Sequence, residues 1–188
     1  MTLTNTMNMK ATTIIVQTLI TALLLSGCKK ENNERILFDA ESDQELDRLH
    51  WQCKTMFFIS SEHVTHGSHS LKMELYPSDY PGVSFRLSSR DWRGYNTLAF
   101  DIYNHHETET TLTIRIDDHK DANNYADRFN KNVVLHPGQN RIRIPLSSVV
   151  TSGSKKPLNL KTITSLVLFI SSPMQRRILN LDYLRLED

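Results

Sequence analysis

The feature that most constrains this chain is a period-two alternation of apolar and polar residues, repeated in run after run. Leu71, Met73 and Leu75 alternate with Lys72, Glu74 and Tyr76, and Leu98, Phe100 and Ile102 with Ala99, Asp101 and Tyr103. Leu112, Ile114 and Ile116 alternate with Thr113, Arg115 and Asp117, and Ile142 and Ile144 with Arg141 and Arg143. Successive side chains of a strand point to opposite faces, so each run predicts a strand with one face in a core and the other in water. Residues 83–87, 165–170 and 178–186 add further strands. Of these, Leu166-Val-Leu-Phe-Ile170 is apolar on both faces and predicts a central strand.

Turn chemistry separates the runs. Pro77 to Gly82 interrupts one boundary and Asn104-His105-His106-Glu107 another. His136-Pro137-Gly138-Gln139-Asn140 reads as a tight hairpin, because proline and glycine supply turn dihedrals. Helical signals are weak. Ser42-Asp-Gln-Glu45 resembles a capping box and predicts two turns through Leu49; residues 147–150 predict one more. About ten short strands of antiparallel type predict an all-β chain, folded as a two-sheet antiparallel jelly-roll sandwich.

The N-terminus has a different character. Lys10 is followed by residues 11–25, which are uncharged and predominantly apolar, and then by Leu25-Ser26-Gly27-Cys28. The apolar run is short for a membrane span, which needs ~20 residues, and fits the hydrophobic region of an export signal. The tetrapeptide resembles the lipobox of bacterial lipoproteins, whose cysteine thiol takes the diacylglycerol; the alternative is an ordinary signal peptide with a chance cysteine. Met9-Lys10 makes a more usual start than Met1. The expected organisation is a cleaved signal peptide at 1–27, a lipidated tether at 28–34 beginning at Cys28, and one β-sandwich domain at 35–188. Lys29, not aspartate, follows the cysteine, which points to the outer membrane of the cell envelope.

Composition narrows the partners. The chain carries 22 basic and 21 acidic residues, and removal of the leader with its single Lys10 balances the two. No basic surplus is left to neutralise a phosphate backbone, which argues against nucleic acid. With Cys28 lipidated, Cys53 is the only other cysteine, so no intrachain disulfide is possible. Cys53 reads as a buried structural thiol.

The order of motifs is informative. Phe38-Asp-Ala-Glu41 precedes Trp51; then come Thr65-His66-Gly67-Ser68-His69-Ser70-Leu71-Lys72 and Tyr80-Pro-Gly-Val-Ser84. Asp91-Trp92-Arg93-Gly94-Tyr95, Leu98-Ala-Phe-Asp101, Arg115-Ile-Asp-Asp118 and Asp127-Arg-Phe-Asn130 follow. Pro137-Gly138-Gln-Asn140, Ile144-Pro-Leu146 and Leu181-Asp-Tyr-Leu184 close the series. Taken together, these resemble the galactose-binding-domain-like β-sandwiches, which include many carbohydrate-binding modules, over nearly all of residues 36–186. This fold serves many roles. The resemblance implies a structural calcium ion near the first and last strands, at the matching positions Asp39, Glu41, the loop around Gly67, and Asp182. A hard cation there would need several carboxylate and carbonyl oxygens; the alternative is that Asp39 and Glu41 are solvated and Asp182 is an outward residue of its strand.

A second constellation is dense in planar polar groups. Arg115, Asp117, Tyr125, Arg128 and Asn130 stand within sixteen residues of one another. Sugars are held by hydrogen bonds from such groups, with an aromatic ring against their C–H face. Arg115 and Asp117 share the outward side of their strand, and the resemblance implies that an open sheet face is the binding surface. The same residues also suit an internal Arg–Asp ladder that fixes a loop. Trp51, Trp92, Tyr80 and Tyr95 read as a sugar platform or as core lids, the latter preferred for Trp51 and Trp92. His63, His66 and His69 are three apart and His105 and His106 adjacent, a spacing that by itself places no zinc. The resulting expectation is a lipid-anchored, non-catalytic module for a glycan partner. The alternatives are a protein-binding assembly or scaffold factor of the same fold, and a polysaccharide lyase or hydrolase.

Overall fold

Ten strands, the alternating runs among them, form the computed structural model, which describes residues 33–50, 53–120 and 124–188. The export signal, Cys28 and Trp51 lie outside the described residues. The strands are β1 (Glu34–Phe38), β2 (Thr55–Ser60), β3 (Ser70–Leu75), β4 (Gly82–Phe85), β5 (Thr97–Asn104), β6 (Thr110–Asp117), β7 (Phe129–Leu135), β8 (Gly138–Pro145), β9 (Ser165–Phe169) and β10 (Arg177–Glu187). All pairings between them are antiparallel. The larger sheet runs β2-β3-β10-β5-β8, with β1 also paired to β10, and the smaller runs β4-β9-β6-β7. The expected two-sheet sandwich is therefore present, and its strands match the alternating runs to within a few residues. The doubly apolar run is β9, an interior strand of the smaller sheet.

The core forms where the inward residues of the two sheets meet. Leu98, Phe100 and Ile102 of β5, Leu179 and Leu181 of β10, and Leu71, Met73 and Leu75 of β3 face Leu112, Ile114 and Ile116 of β6 and Leu166 and Leu168 of β9, all buried. Trp92 is wholly buried, as expected, and donates its indole N–H to the Ser89 carbonyl at 3.3 Å. Gly82 is required by packing: a Cβ there would stand 2.2 Å from the Leu168 carbonyl oxygen.

β10 is the longest strand and explains the split of its neighbours. Residues 177–181 pair with β3, and residues 184–187 pair with β1. Between them the ladder to β5 shifts register from Asp182 to Arg185, with Tyr183 at φ +49°. Such a bulge bends a strand and re-aims its side chains. It sets the Asp182 carboxylate at the point where β3 departs and β1 begins.

Several expectations need correction. The turn at residues 136–140 is no hairpin: β7 belongs to the smaller sheet and β8 to the larger, so this segment crosses between layers. The Asn140 side chain stabilises the crossing, accepting the His136 N–H and donating to the His136 and Gly138 carbonyls. The capping box does not form, and the helix α1 (Asp43–Leu46) has a single turn. Ser42 makes no side-chain cap, and Glu45 instead accepts from the Glu41 N–H and from Arg48. The outer face of β5 is not in water: Ala99 and Asp101 are as buried as the core side, because Arg141 and Arg143 of β8 and Asp182 and Arg185 of β10 flank them. Cys53 is half-buried, not buried. β1 begins at Glu34, one residue inside the expected tether.

Candidate binding groove on the smaller sheet

Antiparallel pairing of β6 with β7 decides the site. Arg115 lies opposite Asn130 and Thr113 opposite Asn132, while Ile116 lies opposite Phe129 in the core. On the other side of β6, Thr113 lies opposite Phe169 and Arg115 opposite Val167. The outward face thus carries two cross-strand rows, Phe169-Thr113-Asn132 and Val167-Arg115-Asn130.

Above these rows is a groove of about 510 Å³, lined by Tyr80, Thr113, Arg115, Tyr125, Arg128, Asn130, Asn132, Phe169 and Ser171. Its floor is polar and planar. Two tyrosines form its sides: Tyr80 comes from the segment entering edge strand β4, and Tyr125 from the 3-10 turn Tyr125–Asp127 entering the opposite edge strand β7. Both rings are largely exposed, at 50% and 64%. Tyr80 packs edge-on against Phe169, with centroids 5.6 Å apart. The turn that presents Tyr125 is held by the loop after β8. Ser152 and Gly153 donate N–H groups to the carbonyls of Arg128 and Ala126, and a Cβ on Gly153 would stand 2.6 Å from that of Ala126.

The groove arginines have different surroundings. Arg115 donates Nε to both oxygens of Asp117 at 3.0 Å and sets Nη2 2.8 Å from Oδ2. Asp117 is buried and does not line the groove; it is paired with Arg115 two residues before it on β6. Arg128 lines the groove, and its buried Nε has no hydrogen-bond partner among the described residues. Burial, and next the neighbouring Arg115 guanidinium, lower its pKa from the ordinary value. Asn130 donates to Ser152 Oγ at 3.1 Å, and Thr113 Oγ1 donates to Asn132 Oδ1 at 2.9 Å.

Of the expected ligand residues, Arg115, Tyr125, Arg128 and Asn130 meet in one groove. Thr113 and Asn132 were legible but passed over: each lies two residues from an expected residue on the same strand face. Tyr80, Phe169 and Ser171 come from distant segments and carry no such signal.

The expected metal residues also share a neighbourhood, at the outer face of the larger sheet. Asp182 Oδ2 accepts the N–H groups of Thr65 and His66 at 2.6 and 2.9 Å and the Thr65 hydroxyl at 3.1 Å; Oδ1 accepts the Tyr183 N–H at 2.7 Å. Burial raises the Asp182 pKa, a rise that these bonds oppose. Glu41 Oε1 accepts from the Ser68 and His69 N–H groups, and a Cβ on Gly67 would lie 2.3 Å from that oxygen. His66 Nδ1 stands 3.5 Å from Asp39 Oδ2 and His69 Nδ1 3.8 Å from Glu41 Oε2. These are ion-pair distances rather than hydrogen bonds, and both nitrogens lack hydrogen-bond partners among the described residues. In this arrangement the carboxylates clamp the loop at residues 65–69 onto the sheet through N–H donors. Asp182 Oδ2 accepts three hydrogen bonds and Oδ1 one, so a hard cation at Oδ2 would have to displace some of these donors.

No protein-family model matches the sequence, and no curated protein matches it. Solved structures do resemble the fold. The family 11 carbohydrate-binding module of Clostridium thermocellum, in complex with a β-1,3-1,4-mixed-linked tetrasaccharide, superposes with a TM-score of 0.62 at 18% identity, over 81% of this chain and 94% of that one. The CBM22-1 xylan-binding domain of Paenibacillus barcinonensis Xyn10C gives 0.56 at 11% identity, over 85% and 97%. An exo-β-agarase gives 0.65 at 19% identity, with 80% of this chain on 24% of that enzyme. At such identities the likeness is one of fold: the chain is a two-sheet antiparallel β-sandwich of the kind found in carbohydrate-binding modules.

Proposed function

We propose that this protein is a non-catalytic carbohydrate-binding module, tethered to the cell envelope through lipid on Cys28, and that it holds its glycan in the groove of the smaller sheet. The observation that carries the reading is the groove itself. Two exposed tyrosines stand at opposite edges of a floor of Arg115, Arg128, Asn130 and Asn132. Aromatic faces suit sugar C–H faces, and planar amide and guanidinium groups suit paired hydroxyls. Among the described residues the groove lining offers no carboxylate, and Asp117 is held by Arg115. Glycoside hydrolysis generally needs two acidic groups flanking the scissile bond, which favours binding over cleavage here. A fold neighbour in complex with a tetrasaccharide and a xylan-binding fold neighbour support the same direction.

Binding through an open groove exchanges water hydrogen bonds for protein ones at small net gain. A dissociation constant on the order of 10–1000 μM is expected, roughly −4 to −7 kcal/mol. The test is a glycan array followed by titration calorimetry with the oligosaccharides retained. An array with no retained glycan, together with recovery of a stable protein partner, would favour the scaffold reading. One feature supports that second reading: Met56 and Phe58 are exposed on edge strand β2. Product formation from an oligosaccharide would establish an enzyme. A calcium ion at Asp39, Glu41, Gly67 and Asp182 belongs to the proposal in a rearranged clamp, in which these oxygens give up N–H and imidazole neighbours. A fall in melting temperature on chelation, reversed by added calcium, is its test.

A further inference from the structure

A second polar cluster lies on the outer face of the larger sheet, away from the groove. Its centre is Asn180, on β10 between Lys72 of β3 and Tyr103 of β5, and only 1% exposed. Asn180 Nδ2 donates to the Glu62 carbonyl at 3.2 Å and to Ser70 Oγ at 2.9 Å. Its other side-chain atom is therefore the acceptor Oδ1, and this faces His105 Nε2 at 2.7 Å. An amide oxygen accepts and does not donate, so Nε2 carries the ring proton of neutral His105 and Nδ1 keeps its lone pair.

The same buried amide fixes the backbone of Glu62, and the next residue is held as well. His63 occupies the left-handed region at φ +55°, a conformation that a residue with a side chain keeps only when its surroundings enforce it. Its ring stacks on Tyr103, with centroids 3.4 Å apart and planes 12° apart, and stands edge-on to His105 at 4.8 Å. Glu62, His63 and His105 each offer one ligand atom, and the three atoms lie within 4.8 Å of one another. His106 is turned to another task, its Nε2 accepting the Ile178 N–H.

We propose that Glu62, His63 and His105 form a site for a divalent transition ion, with Zn²⁺ as the type. Two imidazoles and one carboxylate suit zinc, copper or nickel and not calcium, which takes oxygen ligands. Three protein ligands leave a coordination position to water, as open zinc sites do. Asn180 supplies the outer-shell contact that orients a ligating imidazole and sets its tautomer. The local competitor is Lys72, whose Nζ stands 3.5 Å from Glu62 Oε2 and must yield when the ion binds.

The experiment is calorimetric titration of ZnCl₂ into the purified protein at neutral pH, with Cu²⁺ electron paramagnetic resonance as a second readout. One equivalent should bind, and the copper spectrum should show coupling to two imidazole nitrogens. His63→Ala and His105→Ala should each weaken zinc binding at least tenfold, His119→Ala should leave it unchanged, and Lys72→Met should tighten it. The variants lie in loops or on the surface, and circular dichroism checks their folding. Lys72→Met keeps all three ligands, so its gain in affinity is a test that misfolding cannot mimic. No zinc uptake by the folded wild-type protein, or binding unchanged in both histidine variants, would overturn the assignment.

Discussion

Asp182→Ala is the sharpest test of how the outer face of the larger sheet is built. The substitution removes the acceptor of three backbone N–H groups, those of Thr65, His66 and Tyr183, and of the Thr65 hydroxyl. A hydrogen bond to a charged acceptor contributes ~1.5–3 kcal/mol, so four such bonds give a gross loss above ~6 kcal/mol. Two effects reduce it. Thr65 is exposed and His66 half-buried, so water replaces part of what they lose. Removal of a carboxylate that is 1% exposed also recovers its desolvation cost, the same effect that raises the Asp182 pKa. A net loss of about 2–4 kcal/mol remains, large against the ~5–15 kcal/mol of a typical domain. With a urea slope of ~2 kcal/mol/M this moves the unfolding midpoint down by roughly 1–2 M. The assay is equilibrium urea unfolding of both proteins, with and without EDTA. The clamp described above predicts the full shift in EDTA. A shift below about 0.3 M in EDTA would show that Asp182 does not hold the loop by hydrogen bonds. A wild-type protein that loses stability in EDTA, beside a variant that does not, would place an ion at the clamp instead.

Other consequences are as concrete. Tyr125→Ala should weaken glycan binding about tenfold by removing one aromatic wall, and Arg128→Ala should weaken it similarly by removing a donor; both should keep the wild-type unfolding free energy to within ~0.5 kcal/mol. If Arg128→Ala unfolds early and leaves glycan affinity intact, the arginine is structural. The N–H groups of Ser68 and His69 lower the Glu41 pKa from 4.5. The contribution of Glu41 is therefore complete above 4.5 and lost as pH falls through the lower folded value, so Glu41→Gln should flatten the acid limb of the stability profile. Identical limbs for the two proteins between pH 3 and 6 would contradict this. In cells grown with a palmitate analogue, the wild-type protein should take up label and Cys28→Ala should not; a labelled variant would remove the lipoprotein reading.

The alternating runs by themselves determined β3, β5, β6 and β8, whereas β1, β2 and β7 carry no such run. Side chains of period two can bury one face only as strands, and Ile114 and Ile116 set against Arg115 and Asp117 already separate core from surface within β6. They also determined half of the groove, since Arg115 and Asn130 come together once β6 and β7 pair. Sheet membership was not legible. The 136–140 segment has hairpin chemistry, yet it crosses between layers, because turn dihedrals do not say which sheet receives the next strand. Tyr80 and Phe169 reach the groove only through the pairing of β4 with β9, more than eighty residues away in sequence, and of β9 with β6, about fifty away. The clamp follows the same rule. Asp182 reads as one more outward residue until the bulge in β10 aims it at amides 116 and 117 positions away. Local periodicity records what each strand buries, whereas a site built from loops on opposite edges exists only after the chain has closed, because the contacts that form it are between residues with no local relation.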